Sequence, residues 1–230
     1  MSMKPLLVIP VKRFEAAKSR LSSILRPSEK QKLIEAMLLD VLNAVNEAKT
    51  EFDVAVIAQN VDEVQRTLDE INISKTLWLL EDKENTLNTS IASVAKGAAK
   101  IFYSCVLVIH DDLPLLKPKD IDYILNIAKQ KARCVILAPS RTKGTNLLLL
   151  KPPDVLTPNY GPNSFEKHKS QAIKEGIEVI EYTSETTDLD IDDVSDLCMF
   201  LKRKPKKTQT FTFLKSLPYN FCSMGKERAH

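Results

Sequence analysis

Five short apolar runs, Leu6 to Pro10, Val54 to Ala58, Leu77 to Leu80, Val106 to Ile109 and Val135 to Ala138, constrain the fold more than any other feature of the chain. None of them alternates apolar with polar residues, so each reads as a strand buried on both faces, as in a parallel sheet covered by helices. Helical patterns fill the intervals. Ser28 with Gln31 forms a capping-box signature, after which Leu33, Ile34, Met37, Leu38, Val41, Leu42 and Val45 recur at helical spacing. Further helices are expected over 61–71, 88–102 and 119–131. Alternation of this kind implies a mainly parallel sheet with right-handed crossovers, in which ligands sit at the carboxyl ends of the strands. In the second half, Asn146 to Leu150 reads as a strand, 164–175 as a helix ended at Gly176, and Ile177 to Tyr182 as a further strand. The expectation is an α/β single domain with a mainly parallel mixed sheet flanked by helices. With 230 residues it can bury about 70% of its unfolded surface without a covalent staple.

The net charge of +3 conceals a division, because residues 202–230 hold eight of the 33 Lys and Arg and only one of the 30 acids, Glu227. The body, residues 1–201, is therefore acidic, and residues 202–230 read as a basic C-terminal tail whose "KRKPKK" is a solvated end or a weak polyanion site. An acidic body argues against nucleic acid as a partner. Cys105, Cys134, Cys198 and Cys222 are far apart and show no zinc-ligand spacing with the three histidines, which fits a reduced, cytoplasmic protein. No apolar run approaches the length of a membrane span, and the stretch within MSMKPLLVIPVKR is too short for a secretory signal.

Polar clusters follow the strands: "VKRFEAAKSRL" after the first, "HDDLP" after the fourth and "PSRTKGTN" after the fifth. The first offers Lys12, Arg13, Lys18 and Arg20, enough cations to hold a polyphosphate without a glycine-rich phosphate loop, although a solvated helix start would use the same residues. In "HDDLP", at least one carboxylate should project from the strand end; Asp111 is open to ligation or to a turn or helix cap, and Asp112 is the better ligand candidate. "LDID" places Asp190 and Asp192 one residue apart in a segment that reads as a strand running into a helix, so both carboxylates face one side and Ile191 the core. At ~4–6 Å two such charges repel by up to about 4 kcal/mol at an effective dielectric near 20, unless a cation lies between them. Joined with Asp112 they form an all-oxygen set suited to Mg²⁺ or Mn²⁺. Gly144 beside Thr145, and Gly161 near Ser164, mark loops that either bring backbone N–H groups and hydroxyls against an anion or simply turn the chain. His110 and His168 fall into no Ser-His-Asp or Cys-His arrangement.

Taken together, "VIPVKRFEAAKSRL", "LNTSI", "DLPLL", "APSRTKGTNLLLL", "YGPNSFEKH" and "LDID" resemble, in order and at compatible spacing from residue 6 to about 200, the 2-phospho-L-lactate guanylyltransferase family of deazaflavin coenzyme (F-420) biosynthesis. The resemblance implies a glycosyltransferase-A-like nucleotidyltransferase fold and a homodimer. The activity it implies joins GTP to 2-phospho-L-lactate, or to phosphoenolpyruvate or 3-phosphoglycerate, and releases pyrophosphate with Mg²⁺ present. By motif, Asp112, Asp190 and Asp192 would hold metal, Thr145, Gly161 and Ser164 the phospho-acid, Lys12, Lys18 and Arg20 the GTP phosphates, and Asn88 would lie near the nucleoside. The family pattern would place a second glycine where this chain has Lys143, and the basic tail is expected to fall outside that pattern. Two rivals share some of these features: a sugar-nucleotide glycosyltransferase, which would release a nucleoside diphosphate, and a protein that binds nucleic acid through its tail.

Overall fold

The computed structural model describes residues 3–15, 17–84 and 86–224. Each apolar run is a strand: β1 (Leu6–Val11), β2 (Asp53–Ala58), β3 (Leu77–Glu81), β4 (Val106–Ile109) and β5 (Cys134–Pro139), followed by β6 (Thr145–Lys151) and β7 (Glu178–Glu181). The helices are α1 (Pro27–Glu47), α2 (Val61–Leu68), α3 (Leu87–Lys100), α4 (Pro118–Lys129), α5 (Ser164–Lys174), α6 (Val194–Lys202), α7 (Gln209–Ser216) and α8 (Phe221–Met224). The seven strands form one sheet in the order β3-β2-β1-β4-β6-β5-β7. All neighbours are parallel except the two pairs made by β6, which runs against both β4 and β5. That reversal follows from chain length. Residues 140–144 are enough for a hairpin between β5 and β6, whereas a parallel connection needs a crossover of roughly a dozen residues or more.

The strands read as buried on both faces because helices cover both. On one side Leu7, Ile9, Val56, Leu107 and Ile136 pack with α1, α4 and α6 through Leu38, Leu42, Ile121 and Phe200. On the other, Val8, Ile57, Val108 and Leu137 meet Ile91 and Ala95 of α3 and Phe165 and Ala172 of α5.

Three local expectations are corrected. Helix α1 starts at Pro27, a residue suited to a first turn whose N–H lacks a partner anyway, and the cap is Glu29 accepting the Arg26 N–H at 2.9 Å rather than a Ser28–Gln31 pair. The LDID segment joins no strand; its one tie to its neighbours through the Ile191 N–H is to the Asp112 carbonyl at 3.2 Å, yet Leu189 and Ile191 are still buried and the aspartates still share the other side. The four cysteines are not all free thiols, because the chain folds back after α6 and Cys198 is disulfide-bonded to Cys222 of α8, with their Cα atoms 4.8 Å apart.

The boundary expected after Leu201 also differs from the packing. The "KRKPKK" lysines are exposed, but the chain beyond them, α7 and α8, returns to the body. Both carboxylate oxygens of Asp40 on α1 accept N–H groups from the start of α7, Gln209 at 2.7 Å and Thr210 at 2.9 Å, and Leu214 and Phe221 enter the core. Asp40 thereby satisfies helix-end donors that would otherwise be buried without partners.

Candidate functional site

The carboxyl ends of β1 to β5 and the amino end of the reversed β6 meet along one rim, above a cleft of about 440 Å³. It is lined from successive strand ends by Lys12, Gln59, Asp82, His110 to Asp112, Ser140 and Thr142, with Gly144 to Asn146 on the returning strand. Lys18, Arg20, Tyr160, Gly161, Ser164, Asp190 and Asp192 complete it. Nine of the ten residues given roles by motif therefore share one cavity.

Asn88 does not join them. Its amide is taken up by the backbone of Tyr160, accepting the N–H at 2.6 Å and donating to the carbonyl at 3.2 Å, so it fastens the 160 loop. Gln59 and Asp82, which the strand-end rule could have found, do line the cleft.

One half of the cleft is a crowd of carboxylates around a single ammonium. Lys18 has a left-handed backbone (φ 54°) that leads into a short 3-10 turn over Ser19–Leu21. Its Nζ donates to Asp112 Oδ2 at 2.5 Å and Asp192 Oδ1 at 2.7 Å. Burial alone would depress this lysine, but the charges of Asp112, Asp192 and Asp111 outweigh it and raise its pKa. The acids respond unequally. Burial and the neighbouring Asp112 charge push Asp111 up to about 7 and Asp190 up to about 6. Asp112, against the cost of its own burial, is held down chiefly by Lys18. The Lys18 ammonium, even with the charge of Lys12, thus compensates only part of the negative charge, and Asp112 Oδ1 is buried with no hydrogen-bond partner among the described residues.

Among the described residues, no three carboxylate, imidazole or thiolate side chains close into a cage for a metal ion. The Lys18 ammonium stands between two of the expected ligands instead. In donor type, surplus charge and the orphaned Asp112 oxygen, the cluster still fits a hard divalent cation.

The other half is neutral and built from hydroxyls and turns. Ser140 Oγ accepts the N–H groups of Thr142 at 3.2 Å and Gly144 at 2.9 Å, which curls the loop between β5 and β6. Lys143 takes a left-handed φ of 66°, the conformation for which a glycine would be chosen, so the departure from the family pattern leaves a loop that still turns. Gly161 has φ 126°, a region essentially closed to other residues, and the turn after it brings Ser164 to the start of α5. Ser164 Oγ donates to Thr145 Oγ1 at 3.1 Å, and His168, wholly buried, lies 3.0 Å from the same oxygen.

The cleft thus lies at the rim of a mostly parallel sheet, with carboxylates and hydroxyls in one lining. Residues 5–227 match the family described as "Guanylyl transferase CofC like". The chain belongs to this family of guanylyl transferases. Its members are nucleotidyltransferases, and the match runs through α7 and α8, so the segment after Leu201 lies within the family pattern and not beyond it. A CofC-like relative from Methanothermobacter thermautotrophicus, a 2-phospho-L-lactate guanylyltransferase, is 34% identical over 85% of this chain and 83% of its own. Another, from Thermobaculum terrenum, is a phosphoenolpyruvate guanylyltransferase, 32% identical over 85% of this chain and 82% of its own. In fold, this CofC-like chain is similar to a protein from Desulfovibrio desulfuricans G20 assigned to the nucleotide-diphospho-sugar transferases, with a TM-score of 0.78 and 13% identity over 93% of this chain and 94% of that one.

Proposed function

We propose that this guanylyl transferase joins GTP to 2-phospho-L-lactate, giving lactyl-2-diphospho-5′-guanosine and pyrophosphate as a step of coenzyme F-420 biosynthesis. The observation that carries the reading is that a carboxylate–lysine cluster and a hydroxyl–turn cluster line one and the same cleft. A nucleoside triphosphate and a small phosphorylated acid need different surroundings, and this cleft offers both. Relatives named for phospholactate and for phosphoenolpyruvate support the substrate class. Phosphoenolpyruvate and 3-phosphoglycerate are the alternative acids.

In this reading the phosphate oxygen of the acid attacks the α-phosphorus of GTP as the bond from that phosphorus to the bridging oxygen breaks and pyrophosphate leaves. A phosphate monoester is mostly dianionic at pH 7, so no side-chain base is required. The chain's contribution is placement and charge relief. Thr145, Ser164 and the backbone at Gly161 hold the acid, while Lys12, Lys18 and Arg20 receive the triphosphate. Asp112, Asp190 and Asp192 would hold Mg²⁺ or Mn²⁺, which when bound supplies charge neutralisation between the two polyanions. Asn88 acts at one remove, by fixing the loop that carries Tyr160 and Gly161. The protein is read as a cytoplasmic homodimer, for which sedimentation gives the oligomeric state.

The test supplies purified protein and Mg²⁺ with each nucleoside triphosphate and each three-carbon acid and measures pyrophosphate. GTP with 2-phospho-L-lactate should be the best pair, and lactate without its phosphate should be inert. Thr145→Val and Ser164→Ala should raise KM for the acid more than KM for GTP. Absence of GTP-dependent pyrophosphate with every phosphorylated acid would overturn the reading.

A further inference from the structure

His168 belongs to no catalytic motif and is wholly buried, yet it sits at the junction of three segments that form the neutral half of the cleft. Its Nε2 faces the backbone N–H of Asn159 at 2.8 Å. A backbone N–H can only donate, so Nε2 must be the unprotonated nitrogen of the ring. The ring is also neutral: burial, followed by the nearby His110 and Lys167 charges, pushes His168 down to about 4. A neutral imidazole whose Nε2 accepts carries its one proton on Nδ1. That nitrogen lies 3.0 Å from Thr145 Oγ1.

Thr145 Oγ1 is thus an acceptor twice over. It takes the Nδ1–H of His168 and the hydroxyl proton of Ser164, whose Oγ is 3.1 Å away. A hydroxyl has two acceptor positions and one proton. With both acceptor positions filled from within the protein, the remaining proton of Thr145 is left for a partner in the cleft that the residue lines. Without His168, the same hydroxyl could turn its proton inward toward the ring's place.

We propose that His168 is a positioning residue which, anchored by the Asn159 N–H, holds Thr145 as an obligatory hydrogen-bond donor to the anionic acid substrate. The inference rests on the proposed reading that Thr145 meets that acid. It assigns the "SFEKH" histidine a role through the hydroxyl it holds, with no contact to substrate. Tyr160, stacked edge-to-face on His168 with ring centroids 5.1 Å apart, limits the ring's freedom to flip.

Two experiments test it together. In [¹⁵N]histidine-labelled protein, the His168 ring nitrogens, assigned by their loss in His168→Gln, should show the Nδ1–H tautomer at pH 7. In steady-state kinetics, His168→Leu should raise KM for the phospho-acid by about tenfold with KM for GTP within about twofold, as loss of a hydrogen bond to a charged group implies. His168→Asn, which keeps a donor near the Nδ1 position, should recover most of that loss. His168→Gln, which keeps an acceptor for Asn159 but no donor for Thr145, should not. In a Thr145→Val background, His168→Leu should have little further effect. An Nε2–H tautomer, additive effects of the two substitutions, or rescue by Gln and not Asn, each in an enzyme whose wild type is active, would overturn the role of His168 alone. A wild type that makes no pyrophosphate with any phospho-acid would remove the functional reading, and the inference with it.

Discussion

Replacing Lys18 by methionine removes the one cation between Asp112 and Asp192 while keeping an unbranched side chain of similar length. At 2.5 and 2.7 Å, and an effective dielectric near 20, each contact is worth up to ~7 kcal/mol of Coulomb attraction. That sum is not the net effect. The Asp192 side chain is 48% exposed, so its share is reduced by solvent, and desolvating the ammonium offsets much of the remainder. Removing one member of a buried pair leaves the others uncompensated, which costs about 3–5 kcal/mol, and the lower value is the one expected here. For a domain of this size, ~3 kcal/mol corresponds to a fall in Tm of about 6–12 °C. The sign with pH is definite. Lys18 has its pKa raised above the ordinary 10.5, so its stabilisation is complete below that value and is lost only as pH rises beyond it. The loss in Lys18→Met should therefore be full at pH 8, and it should shrink toward pH 5 as the crowded acids protonate. Mn²⁺ should restore part of the lost stability, and titration calorimetry without nucleotide should show Mn²⁺ binding more tightly to Lys18→Met than to the wild type, because the ammonium no longer competes. A Tm within about 1 °C of wild type at pH 8 without metal, or weaker Mn²⁺ binding, would mean that Lys18 neither compensates these acids nor competes with a cation for them.

Asp190→Asn should abolish turnover yet raise Tm at pH 8 without metal, since a carboxyl shifted from 3.8 up to about 6 gives stability that is present below 3.8 and lost as pH rises through 6. The shift is worth up to about 3 kcal/mol, so the gap between variant and wild type should close toward pH 4, and a gap that stays flat from pH 4 to 8 would contradict it. Ending the chain after Leu201 should lower Tm by more than about 10 °C, because Leu214 and Phe221 are buried at 2% and 1% exposure and each is worth ~1.5–3 kcal/mol; a truncated protein of native Tm would show that α7 and α8 are dispensable. Gly144→Ala places a Cβ 2.8 Å from Ser140 Oγ, the oxygen that curls the loop, and should raise KM for the phospho-acid about tenfold with little change in Tm. An unchanged KM would detach that loop from the acid.

How much of the fold and the cleft is legible in the chain depends on how far apart the interacting residues are. Val106 to Ile109 announces a strand in four consecutive letters, and Asp190 and Asp192 announce a shared face because Ile191 between them must turn inward. Lys18 is different: it meets Asp112 across 94 residues and Asp192 across 174, and no spacing rule connects a lysine in one loop with acids in two others. For Asn88 the motif does not reveal that the amide is taken up by the Tyr160 backbone, since a motif fixes proximity and not the direction of an amide. In α7 the buried positions are Thr210 and Leu214, one of them polar, and α8 has only four residues, which leaves the aromatics of that stretch silent in the sequence. Cys198 and Cys222, 24 residues apart, meet only because the chain reverses after α6.

The reversed strand β6 acts as a ruler. It is paired with β4 over Leu147 to Leu150, with Ile109 opposite Leu147 and Val106 opposite Leu150, and Thr145 lies two residues before that ladder. The distance from the aspartates after β4 to Thr145 at the head of β6 is thereby set by a ladder and not by the loops that carry the chemistry. A slip of one residue would turn the Leu147-to-Leu150 row over, and a slip of two, the smallest that keeps each side chain on its face, would carry Thr145 about 7 Å along the sheet, more than the length of a three-carbon acid. Residues can therefore be inserted within 140–144 at modest cost to the fold, whereas a pair inserted within Thr145–Lys151 should leave a folded sheet whose cleft no longer brings the two proposed substrates together.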